Sequence, residues 1–207
     1  MRNLQTGNPS FKCAEMINFA LDQEQRVAPS VPVLIINRNS LYMEGPNETV
    51  TDDDKTVPGI FFNKRYATRS PEFYREVRQN MIDTACSIAA HHPVFLMRPI
   101  PEMKVDVPNT LGRAMLVGRT REISVSMDEY RQRHARVLEA QDAARAQCGV
   151  TILDPLPYLC ENGRCDAVVA KRSMYFDDDH LSRYGAGHLV PMFSSIFKSN
   201  AAQHAAH

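Results

Sequence analysis

Asp177 and His180 stand three residues apart in the run Tyr175-Phe176-Asp177-Asp178-Asp179-His180-Leu181-Ser182, close to the C-terminus. If the backbone turns between them, the carboxylate can fix one imidazole tautomer and stabilise the imidazolium that forms on proton uptake. Such a pair makes the histidine a general base. The same residues also read as a solvated acidic turn, with Asp179 or Ser182 capping the helix that follows. A metal reading would draw on Asp177, His180 and His188, and nothing else in the chain supports it, so no metal is expected. A second polar group, Asn37-Arg38-Asn39-Ser40, follows the apolar run Val31 to Ile36. Open parallel sheets place their ligand sites at that end of a strand, although a polar loop satisfying its own backbone fits equally.

The elements that must position these residues alternate. Cys13 to Val27 has helical spacing of Cys13, Met16, Ile17, Ala20 and Leu21, and Pro29 and Pro32 end it. Val31 to Ile36 then suits a strand buried on both faces. The stretch Met43 to Thr68 is too long for a turn and reads as an inserted hairpin or excursion. Ser70 and Pro71 open a helix that runs to His91, with His91 and His92 as C-terminal caps. Pro93 to Met97 is a second buried strand, followed by the kinked segment Arg98-Pro99-Ile100-Pro101-Glu102. A short helix over Pro108 to Leu116 and a long one over Ser126 to Cys148 come next, with His134 as a helix-surface or packing residue. Val150 to Leu153 is a third strand, and a last helix covers Leu181 to Lys198. Helix–strand alternation of this kind predicts an α/β fold with a parallel sheet. One domain over 1–200 and a frayed, polar tail over 201–207 are expected.

Composition narrows the classes. Lys+Arg and Asp+Glu balance at 24 each, and no basic run is interleaved with aromatics, so no nucleic-acid partner is expected. No apolar run approaches the roughly 20 residues of a membrane helix, and the N-terminal residues lack an apolar signal core. There is no Gly-rich phosphate loop or dinucleotide fingerprint, which argues against a nucleotide cofactor. Five cysteines are present. Cys160 and Cys165 bracket Glu-Asn-Gly-Arg and could close a small disulfide in an oxidising compartment, or ligate a metal. Cys86 and Cys148 sit in helical, partly apolar settings and are expected to be small buried hydrophobes.

The block Tyr175-x-Asp177-x-x-His180-Leu181-Ser182-x-x-Gly185-Ala186 resembles the last block of the SGNH hydrolases, in the form fused to bacterial acyltransferase-3 membrane proteins. Arg38-x-x-x-Tyr42-x-x-Gly45 resembles that subgroup's strand-end motif, with Asn39 where tryptophan is usual. Pro99-Ile100-Pro101-Glu102 with Val107-Pro108 resembles its central block, and Cys160/Cys165 match its usual cysteine pair. The resemblance covers about Cys13 to Phe197. It implies a three-layer, flavodoxin-like parallel sheet flanked by helices. Asp177 and His180 would be catalytic and Arg38 a weak oxyanion or substrate contact. The reaction implied is acyl transfer or ester hydrolysis on acylated cell-envelope carbohydrate such as lipopolysaccharide O-antigen. The implied partners are an acyl donor, a sugar acceptor and an acyltransferase-3 membrane domain, on the periplasmic side of the inner membrane.

One part of the pattern is missing. The family's nucleophile is a serine in a Gly-Asp-Ser block after the first strand, and no Gly-Asp-Ser occurs here; Ser10 and Ser30 are in the wrong context. The expectation is therefore an N-terminally truncated domain whose first strand is missing, with apolar edges exposed on that strand's two neighbours. Cys13 would have its partner in the missing part. A non-catalytic carbohydrate- or partner-binding remnant is the alternative.

Overall fold

The structure is a computed structural model describing residues 1–8, 10–48 and 56–204, with the side chains of 198–204 left aside. In chain order the elements among the described residues are β1 (Gln5–Thr6), α1 (Cys13–Glu24), β2 (Val33–Ile35), α2 (Asn39–Glu44), β3 (Ile60–Phe61), α3 (Pro71–Ala89), β4 (Val94–Met97), α4 (Val107–Leu116), β5 (Ser124–Ser126), α5 (Met127–Cys148), β6 (Thr151–Leu153), α6 (Leu156–Leu159), β7 (Arg164–Asp166), β8 (Val168–Val169), β9 (Arg172–Ser173), α7 (Arg183–Gly187) and α8 (Val190–His204). Two compact units emerge among the described residues. The first takes in Met1–Pro46, Val50–Pro99 and His134–Leu153, and the second Asn47–Thr49, Ile100–Arg133 and Asp154–His207.

The first unit holds a parallel sheet in the order β2-β4-β6, in register Val33↔Val94 and Phe95↔Thr151. All four residues of β4 are buried, as a central parallel strand covered on both faces requires. Helices α1, α3 and α5 supply the cover. Leu21, Ile82, Ala85, Ile88 and Ala144 pack with Val94, Leu96 and Val150 in one cluster. A second cluster joins Phe73 and Val77 of α3 to Leu4, Met43, Ile60 and Val137. Ser70 caps α3 by accepting from the Phe73 amide, with Pro71 at the first helical position, as its sequence predicts.

Three expectations are corrected here. Strand β2 is not buried on both faces, because it is an edge of the described sheet, and Leu34 and the following Ile36 are exposed. β2 pairs directly with β4, and its other edge carries no partner strand among the described residues. Cys86 and Cys148 are bonded to each other, joining α3 to the end of α5, rather than lying free in the core. His92 does not cap α3 with its ring, which instead contacts the carbonyls of Val31 and Glu24.

His134 is buried, with Nδ1 2.6 Å from the Ser40 hydroxyl, in keeping with a packing role. Cys13 has no disulfide partner. Of the Met43 to Thr68 excursion, residues 49–55 lie outside the described residues, and β3 pairs antiparallel with β1.

The second unit is built from short pieces. Strands β5 and β7 pair antiparallel, as do β8 and β9 around a turn at Ala170 and Lys171, both at positive φ. The last helical stretch is divided into α7 and α8 rather than continuous from Leu181. Helix α8 runs through His204, past the point where fraying was expected, and 205–207 lie outside the described residues.

Candidate catalytic site

The acidic run lies wholly in the second unit and folds into a closed loop. The Phe176 amide donates to the His180 carbonyl at 2.7 Å, and Tyr175 and Leu181 form an antiparallel bridge below it. Within this loop the Asp177 carboxylate is fully engaged. Its Oδ1 accepts from the backbone amides of Asp179 and His180, at 2.9 and 2.7 Å, and its Oδ2 lies 2.8 Å from His180 Nδ1. An Asp turning its side chain onto amides two and three residues ahead is a common turn device. Here it also aims the second carboxylate oxygen at the imidazole.

Asp179 brings a second carboxylate to the same nitrogen, with Oδ1 at 2.6 Å and a side chain only 5% exposed. A carboxylate only accepts, so Nδ1 carries the proton and Nε2 is the basic nitrogen of the neutral ring. The His180 side chain is 71% exposed, open to a reacting group. Burial raises the Asp177 carboxyl, but the two amides and the His180 ring outweigh it, and the net shift is downward. The carboxylate therefore stays charged at neutral pH. Asp178 behaves oppositely: burial, a hydrogen bond with Glu48 and the charge of Asp179 push it up to about 7.

The Pro101-Glu102 segment supports this loop from beneath. Met103 donates its amide to the Asp178 carbonyl at 2.7 Å, and Val107 donates to the Asp177 carbonyl at 3.1 Å. The buried Tyr175 hydroxyl donates to the Pro101 carbonyl at 2.8 Å. Glu102 is buried in an ion pair with Arg133, at 2.7 Å, and Asn47 donates to the Glu102 and Met103 carbonyls. Two motifs some seventy residues apart in sequence thus form one scaffold.

Ser182 caps α7, accepting from the Gly185 amide, as the capping reading expects. Gly185 is held against the backbone of Met174, leaving no room for a side chain.

Arg38 belongs to the first unit, where β2 gives way to α2. Cys160 and Cys165 are joined in a disulfide around the Asn162-Gly163 turn in the second unit. Ligand atoms of Asp177, Asp179 and His180 lie within 4.8 Å of one another, as do those of Glu48, Asp178 and Asp179. His188 joins neither group; its ring meets Tyr184 edge to face. The contacts of the first group are those that orient the imidazole. Asp179 as a second carboxylate partner is the feature that the sequence reading missed.

A parallel sheet wrapped by helices, together with an Asp-x-x-His loop before a short capped helix, defines an α/β protein of the SGNH type. The sequence matches the family described as the SGNH domain (fused to AT3 domains) over residues 2–195, and the chain belongs to that family. Its fold is accordingly the flavodoxin-like α/β class. Association with acyltransferase-3 membrane domains is a property of the family. Neither the curated proteins nor the solved structures searched contain a match.

Proposed function

We propose that this chain carries the acid–base half of an SGNH-type O-acyltransferase or esterase acting on acylated cell-envelope carbohydrate, such as lipopolysaccharide O-antigen. The observation that supports it is the Asp177 carboxylate, fixed by two amides and directed at His180 Nδ1. In this reading His180 Nε2 takes the proton of a serine hydroxyl as its oxygen attacks the acyl carbon. The protonated ring then returns that proton to the departing donor oxygen. Attack by a sugar hydroxyl completes transfer, and attack by water completes hydrolysis. Arg38 is the proposed oxyanion or substrate contact, on its motif alone. A periplasmic setting is proposed from the two disulfides, which persist in oxidising compartments.

The sequence contains no Gly-Asp-Ser, so in this reading the nucleophilic serine is supplied separately and the chain by itself is expected to be inactive. The test compares it with a version extended at the N-terminus by a Gly-Asp-Ser strand block. A fluorophosphonate probe should leave the chain unlabelled and label the extension. In the extension, Asp177→Asn or His180→Ala should lower ester turnover by roughly 10³- to 10⁴-fold. Labelling of the chain as it stands would falsify the reading. The missing serine also favours a binding remnant, which glycan binding without turnover in the extended form would reveal.

A further inference from the structure

The second unit ends helix α4 in an apolar tip. Met115, Leu116 and Val117 are 76%, 88% and 67% exposed, and every residue from Met115 to Glu122 faces solvent. Exposed apolar residues scattered singly are ordinary, but three in succession at an exposed helix end are a contiguous patch. From Val107 to Glu122 the charged residues are Arg113, Arg119, Arg121 and Glu122, all exposed, so three cations bracket the tip against one acid.

We infer that Met115-Leu116-Val117 inserts into the headgroup boundary of an anionic phospholipid bilayer, with Arg113, Arg119 and Arg121 on the phosphates. The inference rests on this loop and on family membership, and not on the catalytic reading. Three amides at the tip are already bonded: those of Val117 and Arg119 donate to the Ala114 carbonyl and that of Gly118 to the Met115 carbonyl. Entry into an apolar phase therefore strips few open donors. Gly118, at φ 65°, makes the reversal that returns the chain to solvent. Apolar side chains in the boundary with long cationic ones reaching to headgroups is the arrangement of interfacial anchors. A protein partner would need about 800 Å² from this side, more than three side chains offer, whereas a lipid surface presents phosphates at every bearing. The family's fusion to acyltransferase-3 domains provides the bilayer nearby.

The chain has no tryptophan, so Leu116→Trp supplies a single reporter. Its emission should shift to the blue with vesicles of phosphatidylglycerol and phosphatidylcholine, and stay put with phosphatidylcholine alone. In vesicle co-sedimentation, serine at all three tip positions should weaken binding by about tenfold or more. Glutamine at the three arginines should cost roughly fivefold per residue and abolish the preference for anionic lipid. The tip residues are exposed, so the triple-serine variant should keep the far-ultraviolet dichroism and melting temperature of the parent. The inference is overturned if the tryptophan stays unshifted with both vesicles. It is equally overturned if the shift occurs only when a purified acyltransferase-3 membrane domain is present in phosphatidylcholine nanodiscs, which would make the tip a protein contact.

Discussion

A Cβ atom at Gly185 would lie 2.1 Å from the carbonyl oxygen of Met174. That carbonyl also accepts from the Ser182 amide, at 2.8 Å, so it cannot retreat without loosening the loop that carries His180. Gly185→Ala should therefore destabilise the protein by about 1–3 kcal/mol, as overpacking does. Gly187, two residues on in the same helix, has nothing within 4 Å of its would-be Cβ. There alanine should be neutral or stabilising by about 0.5–1 kcal/mol. Urea unfolding of the two variants checks the contrast, and equal midpoints would refute the packing argument.

The Asp177 carboxyl sits below its ordinary value, so it contributes stability above the unfolded value of 3.8 that is lost as pH falls through the lower folded value. Its carbon-13 titration should lie below that of a free aspartate. His180→Ala should raise it only partway, since the Asp179 and His180 amides still point at Oδ1. Full reversion would show that the amides contribute nothing.

Asp178 gives the opposite sign. With its folded value raised to about 7, its contribution is present below 3.8 and fades as pH rises toward 7. Above that, a charge is held beside Glu48 and Asp179. The stability gained on Asp178→Asn should therefore grow between pH 4 and pH 8. Urea midpoints across that range are the measurement, and parallel profiles for the two proteins would contradict it.

The two disulfides should differ in weight. Cys86–Cys148 closes a separation of 62 residues and Cys160–Cys165 one of 5. By loop-closure entropy the first is worth about 4 kcal/mol and the second about 2 kcal/mol. Replacing each pair by serine and comparing unfolding midpoints should show the larger loss at 86 and 148. The reverse order would mean that the short bridge acts on the folded loop rather than on the unfolded chain.

The α/β order, the three parallel strands and the Ser70 cap were legible because each is written in nearby residues. The Asp177–His180 pair was legible for the same reason, its partners lying three positions apart. What was missed depends on distant chain. Cys86 and Cys148 read as core residues because nothing local reveals that the ends of α3 and α5 meet. Strand β2 read as doubly buried because an apolar run does not announce that it lies at a sheet edge. Strands β5, β7, β8 and β9 are two or three residues long, too short to show alternation. Asp179 reads in the sequence as a possible cap because its side-chain direction depends on a turn tighter than spacing alone conveys.

The ring closed between Phe176 and His180 bears also on the order of folding. Its contacts join residues two to four apart, so forming it sacrifices little chain entropy, and loops of this length close in well under a microsecond. The parallel pairing of Val33 with Val94 must wait for a long crossover and is intrinsically slow. The contacts within the Asp177–His180 loop can thus form before the sheet does, with the Pro101–Val107 segment left to hold them in place.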